Sequence, residues 1–237
     1  FNRKMPEEIN RILTDHCSTL LFCPTETAVS NLQDEGITQN VYNVGDIMFD
    51  SLLDNQERAK RESAILRDLN LVSEDYFLLT LHRQENTNSQ ERLADIFQGL
   101  ISTNQRIIFP MHPRTRKYIS KYNLTDIINE SSITTIDPLG YLDFIHLMAN
   151  SKKIITDSGG IQKEAHMLNI PCITLRDDTE WIETLKRGKN ILVGSDPDKI
   201  RNSILEAVKN KPKINLFGDG KTSSMILKGI DYFFSSK

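Results

Sequence analysis

The residues best suited to chemistry lie in Thr156-Asp157-Ser158-Gly159-Gly160-Ile161-Gln162-Lys163-Glu164-Ala165. The short run Lys153-Ile154-Ile155 precedes them and an amphipathic segment, Ile161 to Leu168, follows, which predicts strand, tight turn, helix. Adjacent glycines carry no Cβ, so backbone can come close to a ligand there. The amides of Ser158, Gly159 and Gly160 would lie at a helix N-terminus, where free N–H groups and the helix dipole favour an anion such as phosphate. Ser158 adds a hydroxyl. Glu164, about a turn and a half along, is placed to accept hydrogen bonds from a hydroxylated group. A plain glycine turn would carry the same letters, so the surrounding chain has to decide.

Other polar clusters fall at similar places. His82-Arg83-Gln84-Glu85-Asn86, His112-Pro113-Arg114, Asp137-Pro138-Leu139 and Arg176-Asp177-Asp178-Thr179-Glu180 each follow a strand-like run. His82, with Glu85 nearby, can serve as an acid or base near neutral pH. Arg83 and Arg114 match the charge of a diphosphate. Phe144 offers a face for a planar base, although its spacing equally suits a core position. His146 and His166 fall inside helices and read as packing or surface residues. There is no Walker motif and no G-x-G-x-x-G.

The elements that would position these groups alternate along the chain. Strands are expected at 76–81, 106–110, 133–136, 153–156, 172–175 and 190–193. Helices are expected at 90–101, 115–122, 141–149, 161–168, 180–186 and 198–208. Six strand–helix units predict a parallel, doubly wound α/β sheet. In such sheets ligands sit outside the C-terminal strand ends, where the polar clusters fall. Before this region, helices are expected from Pro6 and Pro24, with strands at 19–23 and 40–44. Two parallel strands do not make a buried sheet. Residues 1–44 therefore read as the tail of a first domain, 45–72 as a helical connection, 73–210 as the second domain, and 211–237 as a turn and final helix.

Composition narrows the classes. Basic and acidic residues number 29 and 32, a net charge of −3, which argues against bulk nucleic-acid binding. No apolar run approaches the roughly 20 residues that span a bilayer. Cys17, Cys23 and Cys172 lie in apolar or strand-like settings without C-x-x-C spacing. They read as reduced core residues of a cytoplasmic protein, with no metal site.

Taken in order, His82 to Asn86, Met111 to Thr115, Pro138-Leu139-Gly140-Tyr141, Thr156 to Ala165 and Leu175 to Glu180, together with Pro6 to Arg11, resemble the non-hydrolysing UDP-N-acetylglucosamine 2-epimerases. The resemblance runs over essentially the whole chain. It implies two Rossmann-like domains in a GT-B-like arrangement, with only the tail of the first and all of the second present. It also implies inversion of C2 of a UDP-N-acetylhexosamine without a cofactor, for surface polysaccharide precursors. The route is elimination of UDP to a glycal and re-addition, the C2 proton returning to the opposite face. Glu7 matches a catalytic carboxylate and His82 a catalytic histidine near the diphosphate. Ser158, Gly159, Gly160 and Glu164 match the UDP-binding loop, with Glu164 on the ribose, and Phe144 matches the residue packing on uracil. Arg83, Glu85 and His112 match a second, activating UDP-sugar site of some bacterial members. The implied partner is a UDP-sugar, and the implied assembly a homodimer.

Two departures follow. The family's early glycine loop and further first-domain acids have no counterpart, so this polypeptide alone is expected not to turn over. Trp181-Ile182-Glu183 stands where many members have Arg-Pro-Glu, which opens UDP-2,3-diacetamido uronic acids as substrates. A GT-B glycosyltransferase, a hydrolysing epimerase and a non-catalytic nucleotide-binding module remain rivals.

Overall fold

A computed structural model describes residues 6–186, 189–207 and 214–235. In chain order the elements are α1 (Pro6–Cys17), β1 (Leu21–Cys23), α2 (Glu26–Asp34), β2 (Val41–Asn43), α3 (Ile47–Glu62), α4 (Ile65–Asp68), β3 (Phe77–Thr80), α5 (Gln84–Thr87), α6 (Gln90–Ile101), β4 (Ile107–Pro110) and α7 (Pro113–Lys121). They continue with α8 (Thr125–Asn129), β5 (Ile133–Ile136), α9 (Tyr141–Ala149), β6 (Lys153–Thr156), α10 (Gly159–Met167), β7 (Cys172–Thr174), α11 (Ile182–Lys186), β8 (Asn190–Leu192), α12 (Pro197–Leu205) and α13 (Thr222–Ser235).

The elements fall into two compact units. One brings the described residues up to Leu53 together with those from Asn215 onward; the other is Asp54–Ile214. The first holds the parallel pair β1–β2, with Leu21, Cys23 and Leu32 as its buried apolar cluster. The Asp50 carboxylate accepts the Thr222 and Ser223 amides at 3.0 and 2.8 Å, capping α13 through residues 172 and 173 positions away. A carboxylate at that end satisfies free N–H groups and opposes the dipole.

The second unit is a six-stranded parallel sheet in the order β5-β4-β3-β6-β7-β8. Both faces are covered, so the middles of its central strands are apolar: Phe77, Leu78, Leu79, Ile107, Ile108, Phe109, Ile154 and Ile155 are all buried. Phe77, Leu79 and Leu81 share one cluster with Leu93, Ile96, Phe97 and Leu100 of α6 and with Ile200 and Ile204 of α12. Gly99 lets α6 and α12 approach closely: a Cβ there would meet the Pro197 carbonyl at 2.8 Å. Lys153 begins β6 yet is buried, its ammonium donating to the carbonyls of Ser203, Ile204 and Glu206 at the end of α12.

Several expectations change. The helix of the glycine stretch begins at Gly159, two residues before the amphipathic pattern becomes visible, with Ser158 as its N-cap. Low helix propensity of glycine hid that first turn. The short helices α5 and α8 have too few residues to show a period. Cys17 is exposed at the end of α1, not buried like Cys23 and Cys172. The last helix of the second unit ends at Leu205; Val208 lies outside the described residues.

Candidate functional site

The sheet order reverses between β3 and β6, the first and fourth strands of the unit, and a crevice at such a switch point is where open parallel sheets bind ligands. The two strands pair from Phe77↔Lys153 to Thr80↔Thr156, and the Thr80 and Thr156 hydroxyls meet at 2.6 Å. Thr156 also accepts the Ser158 amide at 3.0 Å, turning the chain into α10.

Asp157 ties the two lips together. It is fully buried and accepts the His82 amide at 3.1 Å, the Arg83 amide at 2.8 Å and the Asn86 side-chain amide at 3.2 Å. A carboxylate with several donors can stay buried where an unsatisfied one could not. His82 Nδ1 lies 3.6 Å from Asp157 Oδ1, and the ring is partly exposed. Asn86 also bonds the Leu175 carbonyl, linking the turn to the end of β7.

A second ionic group stands beside α10. The buried Arg176 donates to Glu180 at 2.7 Å and to Asp178 at 3.2 Å, and lies 3.7 Å from Glu85. Arg83 reaches Glu180 at 3.7 Å. The Glu180 carboxylate occupies the space that a Cβ on Gly159 would need. Gly160 is different. A Cβ there would meet no protein atom closer than Ser158 Oγ at 3.9 Å, and neither glycine has positive φ.

Further along α10, Glu164 is 5% exposed and accepts the Tyr141 hydroxyl at 2.9 Å on Oε1. Burial pushes its carboxyl above the usual range, against the opposing effects of Tyr141 and Lys163. Tyr141 is itself pushed up by burial and by the Glu164 charge. Phe144, one turn beyond Tyr141 on α9, is half-buried.

Of the residues singled out in the sequence, His82, Arg83, Ser158, Gly159 and Gly160 gather at the switch point. Glu85 joins through Arg176, and the exposed His112 ring lies 5.8 Å from that of His82. His112 Nδ1 accepts the Arg114 amide, as the N-cap of α7. Arg114 is engaged elsewhere than at a diphosphate: it donates to Thr87 and Asn88 and lies over Tyr118. Glu7 is in the first turn of α1, and its side chain lies outside the described residues. Sequence reasoning assigned no role to Asp157 or Tyr141. An aspartate directly after a strand and before a glycine pair was the available signal for the first.

A sheet of this strand order, with polar groups converging at its switch point, defines a Rossmann-like α/β domain. A family model described as UDP-N-acetylglucosamine 2-epimerase matches residues 1–231. The chain belongs to that family. It is 50% identical, over 96% of its length and 65% of the relative's, to a UDP-N-acetylglucosamine 2-epimerase homolog of Methanococcus maripaludis. It is 43% identical, over 95% of its length and 63% of the relative's, to UDP-2,3-diacetamido-2,3-dideoxy-D-glucuronate 2-epimerase of Pseudomonas aeruginosa. Among solved structures it resembles the Methanocaldococcus jannaschii UDP-GlcNAc 2-epimerase in complex with UDP-GlcNAc and UDP, with a TM-score of 0.86 and 44% identity, covering 98% of this chain and 66% of that one. The mixed α/β fold with its parallel sheet is that of these GT-B-type epimerases. The chain spans about two thirds of the length of the relatives it matches, 65% of the first.

Proposed function

We propose that this chain serves a non-hydrolysing 2-epimerase acting on a UDP-N-acetylhexosamine, converting UDP-GlcNAc to UDP-ManNAc, and that its switch point holds the departing UDP. One observation carries the reading: Asp157 clasps the His82–Arg83 turn to the start of α10, so a histidine, an arginine and a helix N-terminus converge. Elimination of UDP builds charge on the diphosphate, and preorganised N–H donors with Arg83 would stabilise it. His82 turns its Nδ1 side toward Asp157, leaving Nε2 to act toward the ligand. In the same reading Glu164 takes the ribose, Phe144 packs on uracil, and Glu7 serves the C2 proton. Arg83, Glu85 and His112 hold a second, activating UDP-sugar, and the protein is a cytoplasmic homodimer.

The test has two arms. Calorimetry of UDP with this chain should show binding. In deuterated water, a polypeptide extended to its relatives' length should place deuterium at C2 of UDP-GlcNAc and form UDP-ManNAc. Sugar transfer without C2 exchange would mark a glycosyltransferase, and free N-acetylmannosamine a hydrolysing epimerase; either would overturn the reading. A UDP-2,3-diacetamido uronic acid is the second substrate to assay. The P. aeruginosa relative's 43% identity is level with the 44% and 43% of two archaeal UDP-N-acetylglucosamine 2-epimerases, and Trp181 stands where many members carry arginine.

A further inference from the structure

Glu164 is a buried carboxylate of the crevice, without an ion pair among the described residues. Among the described residues Tyr141 is its hydrogen-bond donor, and that bond uses Oε1 alone. An ionised carboxylate removed from water needs more than one donor to be stable. Oε2 is thus an acceptor with capacity to spare. Tyr141 is 45% exposed, and while its hydroxyl donates to Glu164 its oxygen lone pairs can only accept. Glu164 Oε2 and Tyr141 Oη therefore form two neighbouring acceptors, joined through the 2.9 Å bond from Tyr141 Oη to Glu164 Oε1. Two adjacent acceptors without a donor match a ligand bearing two adjacent hydroxyls.

We infer that Tyr141 is a specificity-determining residue that fixes Glu164 and, with it, reads both hydroxyls of a ribose vicinal diol. The inference rests on the proposal that Glu164 meets the ribose of UDP; what it adds is the second acceptor and the orientation of the first. Without the phenol, the carboxylate is free to rotate about its last bond and one hydroxyl loses its acceptor. Tyr141 is the first residue of α9 and nearly half exposed, so Tyr141→Phe removes the hydroxyl with little effect on packing.

The experiment measures calorimetric affinities of this chain for UDP, 2′-deoxy-UDP and 3′-deoxy-UDP, in the parent and in Tyr141→Phe. The parent should prefer UDP over each deoxy analogue by about tenfold, the worth of one hydrogen bond to a charged or polarised acceptor. In Tyr141→Phe the preference for one of the two hydroxyls should vanish, and UDP should weaken by about tenfold. Equal weakening of all three ligands would make Tyr141 a packing residue and overturn the inference. A parent that binds UDP but ignores both deletions would overturn the placement of Glu164 on the ribose. A parent that binds none would overturn the UDP site itself. Glu164→Gln should lower UDP affinity more than Tyr141→Phe does; the reverse order would also overturn the inference.

Discussion

Replacing Gly160 with alanine separates two reasons for a glycine. In the protein itself nothing requires one: the backbone is not left-handed, and a Cβ would sit in ordinary van der Waals contact with Ser158 Oγ at 3.9 Å. Gly160 is the second residue of α10, so alanine should stabilise the unliganded chain by about 0.5 kcal/mol from helix propensity. In a unit of this size that raises Tm by roughly 1–2 °C. Helical Cβ atoms tilt toward the N-terminus, and here that direction is the proposed diphosphate seat. A methyl group would push a phosphate oxygen off the amides. Losing one to two charge-assisted hydrogen bonds costs about 2–3 kcal/mol, or roughly 30- to 150-fold in Kd. The assay pairs thermal unfolding with UDP calorimetry. A raised Tm with unchanged UDP affinity would refute the reasoning, because the helix start would then not be where the diphosphate lies. Gly159→Ala is the control. Its Cβ would displace Glu180 and so disturb the Arg176 and Arg83 contacts, lowering stability as well as binding.

Asp157→Asn puts an NH2 group among the three donors that the carboxylate accepts; chemical denaturation should show a loss of about 2–4 kcal/mol. Glu164→Gln should stabilise the unliganded chain at neutral pH. The folded carboxyl lies above its ordinary value of 4.5, so the native state takes up the proton first as pH falls. Parent stability should therefore rise on acidification between the folded value and 4.5, and urea titrations of the variant should lack that slope. Lys153→Met removes the ammonium from three carbonyls at the end of α12 and should cost about 1.5–3 kcal/mol in urea unfolding.

Strand positions were legible because a sheet covered on both faces makes its strands continuous apolar runs, and β5, α6, α9 and β6 fall where the pattern places them. Strand order was not legible, since register between β3 and β6 is decided by packing across 76 residues. The polar strand ends marked the crevice, but not which side chains would be spent on the protein itself. Arg114 looked like a ligand for phosphate and instead ties α7 to the α5 turn. Asp157 and Arg176 stand within the polar clusters without a role of their own; only three-dimensional contact shows them buried. The glycine pair likewise reads as one feature, whereas each glycine faces a different neighbour.

The cap that Asp50 places on α13 has a consequence for synthesis. Translation delivers Asp50 long before Thr222 and Ser223, with the whole parallel sheet emerging in between. The nascent chain can complete the sheet as an inserted body while the first unit still lacks its closing helix. A released chain truncated between Leu205 and Thr222 would thus hold every strand of the sheet while its first unit lacks α13 and leaves the Asp50 carboxylate without the amides it caps. Protease sensitivity in such truncated chains should concentrate in the first unit and disappear when α13 is restored.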